Sequence, residues 1–263
     1  MTQAGLFQHV RQDELAIRDR LIGFAATAAN EYRPVVTPFL NPRSQVLAEL
    51  AAEQAGVKLQ ANGGFTGAEW ARVLFFPDYY EPQAEDYELQ LLEVQYPQKF
   101  DQLRHSDILG ALMNSGVARN VFGDIVGDAG RWQFATSMQM ADFFKMNVQR
   151  IGRGKVELLA VDTPLRPHSD WQEHELILSS LRLDELIASA FGLARTRSKS
   201  LVQSGAVQVN WHEEKRADYQ IAPSDMVSVR EHGRVSLDQL LGLTQKEKWR
   251  AVIRVIDKRT YSN

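Results

Sequence analysis

The run Arg195-Thr196-Arg197-Ser198-Lys199 places three cations and two hydroxyls in five residues, with no acid among them. Such side chains neutralise anions and hydrogen-bond to them. The surrounding sequence gives the run a setting. Leu183, Leu186, Ile187 and Ala190 recur at helical spacing, which predicts a short amphipathic helix over 182–191 interrupted at Gly192. A second helix follows, capped by Thr196, with Leu201 and Val202 facing the first helix and Gly205 as its stop. Cations at a helix start are locally unfavourable, because the dipole there is already positive. A docked phosphate reverses that cost, since free amides, dipole and cations all attract it. The corner therefore reads as a phosphate-binding site. Val207 and Val209 alternate with Gln208 like a half-buried strand, and Asn210 begins the next turn. Arg182 opens the first helix, Lys215 follows the Asn210 turn, and Arg234 follows Gly233 at the end of the next strand. The expected contact set is Arg182, Arg195, Thr196, Arg197, Ser198, Lys199, Asn210, Lys215 and Arg234.

Charge is distributed to match. Residues 182–263 hold 14 Lys and Arg against 10 Asp and Glu, a balance of +4, whereas residues 1–181 hold 16 against 23, a balance of −7. A basic end on an acidic remainder suits one anionic partner and discourages indiscriminate binding to phosphate backbones. Cysteine is absent, which removes disulfides, thiolate metal sites and cysteine nucleophiles and suits a reducing cytoplasm. Phe7-Gln8-His9-Val10-Arg11-Gln12-Asp13-Glu14 is polar, and Arg18, Asp19 and Arg20 interrupt the apolar residues after it. Neither a signal peptide nor a membrane span is expected.

The elements that must position the corner start at the N-terminus. Leu15, Ile17, Leu21, Ile22, Phe24 and Ala25 predict a long helix within 9–32, ended by Pro34 and Pro38. Asn41-Pro42 reads as a cap with proline at the first helical position, opening a helix that ends by Gly56. Residues 57–60 and 70–76 read as strands joined through Asn62-Gly63-Gly64, and 77–86 as a polar linker. Beyond it, strands over 87–96, 121–126, 132–136 and 156–161 alternate with helices over 106–113 and 140–150. That βαββαβ order is the ferredoxin-like arrangement, which is also the topology of the RNA recognition motif. Trp132 and Phe134 sit where such motifs place stacking aromatics; they read as core residues, with a stacking platform as the alternative. Pro164, Pro167 and several charges place a hinge at 162–175. The expected fold class is α+β. It comprises an N-terminal α/β unit over 1–80, a ferredoxin-like domain over 85–163, and a helix-pair domain over 182–245 with a basic C-terminal strand to 263.

Two resemblances refine this expectation. Arg182-Leu183-Asp184, the run 195–199, Gly205-Ala206-Val207-Gln208-Val209-Asn210, and Asp225 before Val227-Ser228-Val229 together resemble the S-four (αL-type) RNA-binding domain. In that family the paired helices lie against structured RNA. Further upstream, Thr37-Pro38-Phe39-Leu40-Asn41-Pro42-Arg43, Gly63-Gly64-Phe65, Leu103-Arg104-His105-Ser106-Asp107-Ile108-Leu109-Gly110-Ala111-Leu112-Met113 and Gly123-Asp124-Ile125 resemble the YlmH family, which couples such a region to a C-terminal S-four domain. The chain departs from that pattern where Ala68-Glu69 is followed by Trp70 rather than arginine, and where Gln245-Lys246-Glu247-Lys248-Trp249-Arg250 lacks a glycine. The resemblance implies a non-enzymatic, ribosome-associated factor; a cytoplasmic monomer without cofactor is expected. Its implied partners are ribosomal RNA of the large subunit and, with stalled peptidyl-tRNA, tRNA, in ribosome-associated quality control.

Other classes leave weaker traces. Arg182-Leu183-Asp184 spells the tripeptide around the catalytic aspartate of pseudouridine synthases, but here it opens a helix and only about twenty residues follow Leu243. A protein-interaction factor linked to cell division would use the helix pair only as scaffold. No metal-binding spacing occurs, since His168 and His174 flank Asp170 and Glu173 in a polar stretch that reads as linker. His105 and Asp107 beside Arg104 read as a helix start rather than an acid–base pair.

Overall fold

The computed structural model describes residues 10, 12–98, 102–166 and 171–257. Backbone contacts divide the chain into two units, Met1–His168 and Ser169–Asn263. The first begins with α1 (Leu15–Glu31), β1 (Val35–Leu40), α2 (Pro42–Ala55), β2 (Lys58–Asn62) and β3 (Ala71–Phe76). The three strands pair antiparallel in the order β1-β3-β2, and Leu21, Ala25, Leu47, Ala51, Val73 and Phe75 share one core with the two helices. The start of α2 follows from its sequence: the Asn41 side chain accepts from the Ser44 amide at 2.8 Å, Pro42 needs no amide partner, and Gly56 closes the helix at φ 67°. Strand β1 lies where the two prolines predicted only a break. Pro38 sits at the register shift between Val36 and Phe39 on an edge strand, a place that tolerates a missing amide.

The same unit continues with β4 (Leu89–Gln95), α3 (His105–Asn114), β5 (Phe122–Asp128), β6 (Arg131–Ser137), α4 (Met138–Asn147), β7 (Arg150–Ile151), β8 (Gly154–Lys155) and β9 (Glu157–Val161). Four of these strands form an antiparallel sheet in the order β5-β6-β4-β9, while β7 and β8 make a separate hairpin where the end of the second helix was expected. Phe122, Phe134, Phe144, Ile108 and Leu112 fill the space between this sheet and α3 and α4. Phe134 is fully buried, edge-on to Phe144 at 5.6 Å, and Trp132 packs against the same core. The opposite face of the sheet is covered beside these two residues. There the buried Gln133 donates to Glu93 and the Thr163 carbonyl and accepts from the Leu165 amide, so the 163–165 segment lies on the sheet.

Within this unit, side chains fasten the two sheets together. Asp124 of β5 accepts from the Glu69 and Trp70 amides at 2.6 and 3.2 Å. Buried Arg72 of β3 donates to the carbonyls of Thr37, Tyr87 and Glu88. Arg119 lies over the Trp70 ring at 3.9 Å and over Phe122 at 4.3 Å. The expected polar linker takes part in the packing, for its Tyr80 packs against buried Leu74, Phe76 and Tyr87.

The second unit contains β10 (Gln172–Leu178), α5 (Leu183–Phe191), α6 (Arg195–Gln203), β11 (Val207–Val209), β12 (His212–Glu213), β13 (Met226–Val229), β14 (Gly233–Leu243) and β15 (Trp249–Asp257). Its six strands run antiparallel in the order β10-β15-β14-β13-β11-β12, and one face carries the helix pair over Val207, Val227, Val235, Leu237, Ile253 and Val255. The expected hinge therefore contains a strand. Gln172-Glu173-His174-Glu175 shows no apolar alternation because all four are exposed, and β10 is fixed instead by seven paired positions with β15. His174 and Glu173 are strand residues, whereas His168 and Asp170 lie outside the described residues. The C-terminal strand expected beyond the domain is β15, inserted between β10 and β14.

Candidate nucleic-acid interface

Helix α5 has two acids, Asp184 and Glu185, in its first turn, where the dipole favours them. The amides of Leu183 and Asp184 bond to the carbonyls of Tyr219 and Ala217, which fixes this end of the helix. The Asp184 side chain is 3% exposed and accepts from Arg182 Nε and Nη2 at 3.0 and 2.9 Å. Its other neighbour is Arg195, whose guanidinium stands 3.6 Å from Asp184 and 3.4 Å from Glu185. Burial opposes ionisation of Asp184, but the two guanidiniums outweigh it and hold the carboxyl below its usual range.

These pairs correct one premise of the sequence reading. The cations of 195–199 have no acid nearby in sequence, yet packing α5 on α6 brings Asp184 and Glu185 to Arg195. Arg197 and Lys199 are exposed, with no acidic partner among the described residues. An open pocket of roughly 320 Å³ is lined by Arg182, Asp184, Arg195, Thr196 and Lys199. The paired helices thus gather four of the nine expected contact residues around one buried carboxylate.

The other five are placed differently. Arg197 is exposed on α6 outside the pocket lining. Ser198 is fully buried, one turn from Leu201 and Val202, with its hydroxyl near the Ala194 carbonyl at 3.4 Å, so it faces the core instead of a ligand. Asn210 is spent internally: its side chain donates to Asp225 at 2.9 Å and accepts from the Met226 amide at 3.0 Å. Lys215 pairs with Glu213 at 2.8 Å. Arg234 alternates with core residue Val235 along β14 and therefore lies on the sheet face away from the helices, not beside the corner. Thr196 is not the cap of α6. The extended residue is Ala194, so Thr196 falls inside the first turn and is exposed.

Sequence reasoning missed the role of Asp184 as the anchor of two arginines. The spacing of Arg182 and Asp184 is its only local trace. It also passed over Trp171 and Trp211, whose rings lie 5.4 and 5.8 Å from the Arg234 guanidinium.

A sheet-backed helix pair with a cationic corner is the arrangement expected of an S-four-type RNA-binding unit, and comparison with known proteins points the same way. The chain is 40% identical over 63 residues to the small ribosomal subunit protein uS4 of Dichelobacter nodosus, covering 24% of this chain and 31% of that protein. Residues 16–80 match the family model "YlmH, N-terminal", and residues 82–164 match "Putative RNA-binding domain in YlmH". A Bacillus subtilis relative named ribosome-associated protein quality control protein P2 is 38% identical over 247 residues, 93% of this chain and 96% of that one. The solved structure of cell division protein ylmH from Streptococcus pneumoniae superposes with a TM-score of 0.51 at 34% identity, covering 60% of this chain and 96% of that chain. The chain belongs to the YlmH family.

Proposed function

We propose that this protein is a non-enzymatic, cytoplasmic RNA-binding factor that docks its α5–α6 corner on structured ribosomal RNA of the large subunit. In this reading it acts as a monomer without cofactor on subunits that carry stalled peptidyl-tRNA, within ribosome-associated quality control. One observation carries the reading: buried Asp184 holds Arg182 and Arg195 beside Thr196 and Lys199 in a single open pocket at the start of α6. Cations gathered at a helix N-terminus attract phosphate by charge, dipole and amide donation together. The name of the Bacillus subtilis relative and the similarity to uS4 support a ribosomal partner. Asp184 supports the non-enzymatic reading against a pseudouridine synthase, because its carboxylate is engaged by two guanidiniums in a buried position.

The three-module division, 1–80, 85–163 and 182–245 with the strand running on to the C-terminus, belongs to the same proposal. The family-model ranges support its first two parts. The third takes in β10 as well. The test is sedimentation of the purified protein with isolated subunits. Co-migration with large subunits that weakens as salt rises is expected. Binding to small subunits alone, or to neither, contradicts the reading.

A further inference from the structure

The six-stranded sheet of the second unit has another decorated face. Along β14, Val235 and Leu237 enter the core under the helices, so Arg234, Ser236 and Asp238 alternate onto the opposite side. Arg254 lies between core residues Ile253 and Val255 on β15 and pairs in register with Ser236, which sets it diagonal to Arg234. Trp171 directly precedes β10, and Trp211 stands in the turn between β11 and β12. The Arg234 guanidinium lies 5.8 Å from the Trp211 ring and 5.4 Å from the Trp171 ring, and the Arg254 guanidinium lies 5.6 Å from Trp171. The row reads Trp211, Arg234, Trp171, Arg254. Asp238 accepts from Arg254 and from the Ser236 hydroxyl, which balances part of the charge.

Trp211 provides a second, independent observation. The pair Val209↔His212 closes a two-residue turn whose central residues, Asn210 and Trp211, have φ of 49° and 66°. Two positive φ values define the hairpin turn that normally carries Asn-Gly. Asn210 fits that pattern. A large aromatic at the glycine position is strained, and such strain persists where the ring has a task. Trp211 is half-buried on the turn, with the Arg234 guanidinium beside its ring.

We infer that the Trp211–Arg234–Trp171–Arg254 row is a second RNA surface, a stacking platform for unpaired bases of single-stranded RNA. Bases stack on indole and guanidinium planes without sequence preference, and alternating aromatic and cationic planes suit a strand that is both π-faced and anionic. The partial neutralisation by Asp238 makes stacking, not phosphate neutralisation, the main attraction. This surface lies on the sheet face opposite α5 and α6 and does not depend on the α6 corner.

The test uses the full chain and a labelled single-stranded RNA of about ten nucleotides, with binding read by anisotropy and folding by Tm. Trp211→Gly installs the residue the turn prefers. Its Tm is expected to hold or rise while oligonucleotide affinity falls about 5- to 100-fold. Trp211→Phe, which keeps a ring at the same position, is expected to recover most of that loss. In the background of the variant with Arg195, Arg197 and Lys199 all changed to Ala, Trp211→Gly is expected to lower oligonucleotide affinity by the same factor, which separates failure here from failure of the corner. Unchanged affinity in Trp211→Gly overturns the inference. So does a lower Tm, which would make the ring a structural prop. Unchanged oligonucleotide affinity together with release from ribosomal subunits would instead assign the face to a protein, and would overturn it as well.

Discussion

Asp184 and Arg182 form a two-pronged pair, Nε and Nη2 donating at 3.0 and 2.9 Å to a carboxylate that is itself almost fully buried. The pair gives the arginine one orientation beside the pocket. Replacing Asp184 with Asn raises the net charge by one, which on charge alone would tighten RNA binding. The geometry predicts the reverse: weaker binding, because Arg182 and Arg195 lose their common anchor, and a stability loss of about 1–3 kcal/mol. Paired titrations of RNA affinity and chemical denaturation decide between the two.

The same pair has a pH signature. Burial resists ionisation of Asp184, yet the guanidiniums of Arg182 and Arg195 prevail and its folded pKa is depressed. A depressed carboxyl stabilises the fold above the unfolded pKa and loses that contribution as pH falls through the folded value. Unfolding followed into the acid range should therefore show a falling limb that Asp184→Asn reduces.

Asp124 should behave in the opposite sense. Desolvation, then the nearby charge of Glu69, raises its pKa from 3.8 to about 6 despite the amide bonds from Glu69 and Trp70 and the charge of Arg119. Between those values the folded state binds more protons than the unfolded one, so stability declines as pH rises through the interval. The full effect is on the order of 3 kcal/mol. Tm measured across that interval should fall for the native chain and stay flatter for Asp124→Asn.

Phe134 tests the central core. It is fully buried and edge-on to Phe144. Phe134→Ala should cost about 3–5 kcal/mol and leave the RNA affinity of the folded protein unchanged. A variant that keeps its Tm but loses RNA binding would restore the stacking-platform reading.

Much of this architecture was legible because local signals agreed. Asn41, Pro42 and Gly56 bound α2 by capping chemistry that depends on no distant contact. The apolar spacing of Leu183, Leu186 and Ile187 did the same for α5, whose end Gly192 marks. Strands whose identity rests on pairing were harder to read. β10 is exposed at four successive positions and exists through its register with β15, about 75 residues away as the Glu175–Arg250 pair shows. The candidate site divides along the same line. Arg195, Thr196 and Lys199 were visible as a run, but the acids that pair with Arg195 come from another helix. Ser198 has the right side chain on the wrong face of α6, a matter of helical phase that a short polar run does not reveal.

That phase gives a further expectation. Ser198→Ala should leave RNA affinity within about twofold of native, roughly 0.4 kcal/mol, because the hydroxyl is buried. Asn210→Ala should act on folding instead. It removes an acceptor from the Met226 amide, a donor to Asp225 and a residue type suited to positive φ, and should cost about 1–3 kcal/mol. Comparing the two variants by denaturation and by RNA titration separates contact from support.

The most direct measurement of the central claim is the salt dependence of binding to purified large subunits, with Arg195, Arg197 and Lys199 changed together to Ala. Each phosphate neutralised by one cation adds about 0.7–0.9 to the slope of log K against log salt. The α6 corner predicts that the triple variant flattens the slope by about 2–3 units and leaves the subunits at moderate salt while remaining folded. A folded triple variant that still sediments with large subunits at an unchanged slope would contradict the account and place the RNA surface elsewhere in the chain.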